Sequence, residues 1–110
     1  MVELSTMTSV TPDWTLDQII DGMQKYGYAG LEPRAGWGHA AGLEYDTSPG
    51  DRDSARAKLE AAGLAVSCVA TGAKFATEDP SDLEGHIEEA NKAIDLAADL
   101  GAACVRTFGG

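Results

Sequence analysis

AAGLAVSCVATG, residues 61–72, is the stretch on which the fold turns. Its two alanines close a helical run, and Gly63 offers the left-handed backbone on which helices commonly stop. From Leu64 to Thr71 the chain is then almost continuously apolar. A strand with one wet face would alternate. This one reads as covered on both faces, the habit of parallel sheets flanked by helices. The junction recurs: YGYAGLE at 26–32 and DLGAACVR at 99–106 also run from a helix through a glycine into a short apolar strand. Such repetition means β-α alternation, right-handed crossovers and a parallel sheet.

Working outward, VELSTMT (2–8) is rich in β-formers and reads as the first strand. Leu16, Ile19, Ile20, Met23 and Tyr26 recur at helical spacing and predict a helix over 15–26 with one buried stripe. Thr15 and Gln18 have the spacing of a capping box, Trp14 and Ile19 that of a hydrophobic staple, and Gly27 ends the helix. The second strand is YAGLEPR (28–34), with Pro33 tolerable at its fading carboxyl end. A long glycine-rich loop follows. Ser48-Pro49 then opens a helix over 49–62, with Ala55, Leu59 and Ala62 inward. The third strand covers 64–71. Asp79-Pro80 opens a helix over 80–100 with an inward stripe of Leu83, Ile87, Ala90, Ile94 and Ala97, closed by Gly101. The fourth strand is 103–108.

The chain's 110 residues make one domain. Hydrophobic residues are 44% and aromatics 6%, so the core is expected to be Ala, Leu, Ile and Val. A formal charge of −10, from 18 acidic and 8 basic residues, repels polyanions and argues against nucleic acid or anionic membranes as partners. Cys68 and Cys104 sit in apolar runs without a CxxC motif and read as small core residues. No leader and no apolar run near about 18 residues is seen, so no membrane span is expected. A cytoplasmic protein is the default.

Function in β-α folds gathers at strand carboxyl ends, here 8–13, 34–47, 72–79 and 109 onward. Two architectures fit. One is an open flavodoxin-like or Rossmann-like sheet; the other is the first half of a (β/α)8 barrel, whose full length is about 250 residues. The open sheet wants a glycine turn after its first strand, and TSVTPDWT (8–15) has none. GWGHAAG (36–42) lies too far before the next helix to place a phosphate on it. The α/β half-barrel is therefore the expected fold. It also suits the polar residues in the strands: Glu32 and Arg34 share one face, as do Arg106 and Phe108, by the two-residue period. Charges in a covered strand are costly unless paired. Glu32 with Arg34 or Arg106 reads either as a structural ion-pair network or as a polar floor for a hydroxylated ligand.

WTLDQIIDGMQKYGYAGLEPR (14–34), LEAAGLAVSCVATG (59–72) and AIDLAADLGAACVRTFGG (93–110) together resemble the first four strands of the xylose isomerase-like barrel superfamily, the sugar phosphate isomerases/epimerases. The resemblance implies a metal-dependent isomerase, epimerase or dehydratase acting on sugars, polyols or derived keto-acids. In that family a divalent ion, commonly Mn, Mg, Co or Zn, polarises a carbonyl while a carboxylate moves a proton. The family's metal ligands stand on later strands, so none is carried over to a residue here. What the resemblance leaves is a substrate wall: Glu32, Arg34, Trp37, His39 and Arg106. Arg34 and Arg106 are expected to meet Glu32 at the top of the barrel. Lys74 and Phe75 are weaker pocket residues. Ser5, Thr6 and Thr8 satisfy the barrel interior, and His86 faces solvent. A half-barrel leaves its first and fourth strands unpaired. The partner is then a second barrel half or a second copy of the chain, besides a small hydroxylated substrate. The chain alone is expected to be inactive; the alternative is a non-catalytic dimeric half-barrel that binds or assembles.

Overall fold

The computed structural model describes residues 1–109. Gly110, read above as part of the loop after the fourth strand, lies outside them. In order come β1 (Ser5–Met7), a single 3-10 turn (Thr8–Val10), α1 (Leu16–Tyr26), β2 (Gly30–Glu32), α2 (Pro49–Ala61), β3 (Ala65–Val66), β4 (Val69–Lys74), α3 (Pro80–Leu100) and β5 (Val105–Phe108). Every pairing is parallel. Ser5 lies opposite Gly30 and Gly30 opposite Ala65, while Val69 lies opposite Val105. A bridge from Arg34 to Ala70 carries β2 across to β4. The strands thus form a three-stranded sheet, β1-β2-β3, and a two-stranded sheet, β4-β5, which this bridge links in chain order, with β1 and β5 at the outer edges. This is the α/β half-barrel expected from the alternation.

Local chemistry sets the boundaries. Thr15 accepts from Gln18 N while the Gln18 side chain accepts from Thr15 N, a complete capping box. Ser48 and Asp79 cap α2 and α3, each with proline in the first turn. Gly27 and Gly101 take φ of 76°, the left-handed cap an L side chain resists. Leu16, Ile19, Ile20 and Met23 of α1, Leu59 of α2 and Leu96 and Leu100 of α3 close over Leu31, Val66 and Val69 in one core.

Four expectations are corrected. The third strand breaks at Ser67–Cys68 and runs on to Lys74. Val66 and Val69 both enter the core, so the two-residue period slips there. The Ser67 amide and hydroxyl both donate to Leu31 O, and its hydroxyl also bonds that of Ser5. Tyr26 is 67% exposed and leaves the α1 stripe. On α3 the buried face is Ala93, Leu96, Ala97 and Leu100, with Ile87 and Ile94 about half exposed. The helix is alanine-rich enough that packing on β4, β5 and α2 chose its inward face. Finally, neither cysteine is core: Cys68 is half-buried and Cys104 exposed.

Beside the open β1 edge, Leu4, Val10, Trp14, Tyr26 and Tyr28 line a largely apolar groove of about 370 Å³. Thr6 lines this groove as well, instead of filling the barrel interior. The Trp14 ring lies over Gly22, where a Cβ would stand 2.9 Å from it. No helix among the described residues is long and apolar enough to cross a membrane.

Candidate functional site

The carboxyl end of β2 is held by Thr8. This side chain is buried, and its Oγ1 accepts from Arg34 N at 2.9 Å. Arg34 itself is buried. Its Nη1 donates to Ala35 O, and its guanidinium carbon sits 4.3 Å from the centre of the Trp37 ring. That distance suits a cation–π contact. Trp37 is 63% exposed and meets His39 edge-on, with ring centres 5.8 Å apart and planes at 82°. His39 Nε2 is buried without a partner. Arg34, Trp37 and His39 therefore form a ladder rising from the strand end.

The glycines of this loop are conformational. Gly36 has φ of 95° and Gly38 of 66°, so the backbone doubles back and sets Trp37 and His39 on one side. The loop is also tied down. Gly36 N donates to Glu44 Oε1 at 2.6 Å, Ala40 N to Pro12 O, and Leu43 is buried. Arg52 of α2 grips it from below through Thr47 O and Tyr45 O, and pairs with Asp99 at 2.9 Å.

Tyr45 and Glu89 complete the support, and the sequence reading passed over both. Glu89 Oε2 accepts from Tyr45 OH at 2.7 Å and from Gly72 N at 3.1 Å. Gly72 lies where β4 changes register against β5. A Cβ there would stand 3.2 Å from Arg34 Nη2. One carboxylate thus joins the loop after β2 to the irregular end of β4, beside the guanidinium. Burial, then the Glu89 hydrogen bond and charge, push the Tyr45 hydroxyl well above its usual range. The available signal was an acid one turn before Ala93, on the helix face that packs inward.

Glu32 and the two arginines do not form the expected network. Among the described residues no ion pair joins Glu32 to either one. Arg34 and Arg106 are both level with Ala70, on its two sides, while Glu32 lies two residues lower on β2. Arg106 Nη1 donates to Thr71 O at 2.9 Å, and its guanidinium sits 4.3 Å from the centre of the Phe108 ring. Thr71 Oγ1 returns a bond to Arg106 O. Each arginine is satisfied by a nearby carbonyl and an aromatic ring. His86 is also corrected: it is partly buried, and its Nδ1 accepts from Lys74 N at 3.3 Å, so it helps hold the end of β4. Lys74 is exposed there and Phe75 is 39% exposed. Ser5 meets Ser67 on the sheet face away from the helices.

A family model described as xylose isomerase-like TIM barrel matches residues 20–110. A search among curated proteins finds no match to the sequence. Among solved structures, the probable 3-DHS dehydratase AsbF of Bacillus anthracis, involved in petrobactin synthesis, superposes with a TM-score of 0.76 at 20% identity, over 99% of this chain and 39% of its own. The 3-keto-D-glucoside 4-epimerase YcjR of E. coli gives 0.71 at 10% identity, over 96% and 37%. The chain thus spans under two fifths of each of these proteins, and at these identities the likeness is one of fold.

Proposed function

The chain belongs to the xylose isomerase-like TIM barrel family, and on that premise we propose that it is the substrate-side wall of a sugar-modifying enzyme. The whole enzyme, in this reading, isomerises, epimerises or dehydrates a sugar, a polyol or a keto-acid derived from one. The observation that carries the reading is the Arg34–Trp37–His39 ladder at the carboxyl end of β2, where barrel enzymes gather their substrate contacts. Trp37 offers an open ring face to the C–H side of a sugar. His39 braces that ring edge-on from the same loop. Arg34 works from behind, fixing the ring and placing positive charge under a bound carboxylate. Glu32 and Arg106, both partly buried, extend the wall along the sheet. A dehydratase and an epimerase among the structural relatives add support for this chemical class.

The family resemblance brings a divalent ion, Mn, Mg, Co or Zn, which when bound polarises a carbonyl and its neighbouring hydroxyl. Among the described residues no three His, Cys, Asp or Glu side chains come together to hold one. The residues present therefore do not fit the ion, and we assign them binding and orientation, with no catalytic step. The proposed partner is a second barrel half. A second copy of the chain is the alternative, since either would pair the open edges of β1 and β5.

The test uses Trp37 as its own reporter. The chain has two tryptophans, so Trp14→Phe isolates it. Titration with 3-DHS is expected to quench its fluorescence saturably, and His39→Ala, which removes the edge-on brace on the ring, to weaken the effect. Adding Mn²⁺ is expected to give no turnover by the chain alone. A flat titration, or product formed by these residues unaided, overturns the proposal.

A further inference from the structure

Away from the ladder, two thiols stand side by side. Val69 and Val105 are register partners, so the residues before them, Cys68 and Cys104, are level on neighbouring strands. Adjacent strands run about 4.8 Å apart, within the range of about 4.4–6.8 Å that a disulfide's Cα atoms span. Cys104 leans across the gap, its Sγ 3.5 Å from Ser67 O on the neighbouring strand segment. Cys104 is exposed, and Cys68 is half-buried. Burial above all, then the adjoining Cys104 thiol and the Glu32 carboxylate, raise the Cys68 thiol to about 12. Cys104 is thus the point of entry, and Cys68 is the protected second thiol.

We propose that Cys68 and Cys104 form a modification site, a reversible disulfide that ties β4 to β5, made by exchange with a low-molecular-weight disulfide such as oxidised glutathione. The Cys104 thiolate attacks one sulfur of the oxidant. The oxidant's S–S bond breaks, one thiol leaves, and a mixed disulfide remains on Cys104. Cys68 then gives its proton to water and attacks the Cys104 sulfur. The protein S–S bond forms and the second small thiol leaves with the electron pair. Two protein thiols are oxidised and one small disulfide is reduced to two thiols.

The test is exchange of the reduced chain with oxidised glutathione, followed by intact mass and thiol titration. The wild type is expected to lose the mass of two hydrogens and both titratable thiols while staying a single chain. Cys68→Ser is expected to stop at one stable glutathione adduct. Cys104→Ser is expected to remain reduced over the same time. A wild type that retains glutathione, or that links between chains, overturns the site.

Discussion

Removing the Glu89 carboxylate tests the architecture of the loop most directly. Its Oε2 accepts both the Tyr45 hydroxyl and the Gly72 amide, at 2.7 and 3.1 Å. A hydrogen bond to a charged group contributes about 1.5–3 kcal/mol, a neutral one about 0.5–1.5. Glu89→Gln keeps an acceptor at that position and loses the charge, so about 1 kcal/mol per bond is expected, or about 2 in all. Glu89→Ala loses both bonds and leaves a part-buried amide unpaired, for about 3 kcal/mol or more. Urea unfolding followed by circular dichroism measures both. A cycle with Tyr45→Phe isolates the shared bond, and contacting groups should show a coupling of at least about 0.5 kcal/mol. If Glu89→Ala unfolds within about 0.5 kcal/mol of wild type, or the cycle is additive, the carboxylate is not the clamp described. The Trp37 titration should weaken in step, since the same carboxylate holds the loop that carries the ring.

Raising the pH tests Tyr45. Its folded pKa lies above its unfolded value of about 10, so the stability it adds is full below that pH and drains away above it. Stability against pH should fall more steeply in wild type than in Tyr45→Phe once that value is passed; parallel curves refute it. Gly72→Ala places a Cβ 3.2 Å from Arg34 Nη2 and should cost about 1–2 kcal/mol by displacing the guanidinium. In an Arg34→Ala background most of that penalty should vanish, which a second unfolding series checks. Leu96→Ala, at a fully buried position, should cost about 3 kcal/mol in the same assay.

What was legible in the sequence was what local chemistry decides. Thr15 with Gln18, Ser48 with Pro49 and Asp79 with Pro80 marked helix starts because capping is settled within four residues. Gly27 and Gly101 marked the stops for the same reason. The break between β3 and β4 was hidden because Ser67 bonds to Ser5, 62 residues away. Tyr45 and Glu89 were missed on similar grounds, being 44 residues apart. The α3 stripe was misplaced because its isoleucines outweigh its alanines on any hydropathy scale, although alanine lets the helix approach the sheet closely. Trp37, His39 and Arg34 were named as a substrate wall from the family resemblance and the chemistry of their side chains, and the structure does bring them together. Glu32 was expected among them by strand alternation, which ignores where a long arginine side chain finds a closer carbonyl and ring.

Arg34 and Arg106 each rest on a neighbouring carbonyl and a ring from the same strand end or loop. Among the described residues, neither is held by an ion pair with an acid. A unit in which buried Arg34 and half-buried Arg106 are both held internally can be recombined with a different barrel half without stranding either charge. Exchange of halves between related barrels should therefore be limited by the fit of their apolar edges, not by the electrostatics at the top of these strands.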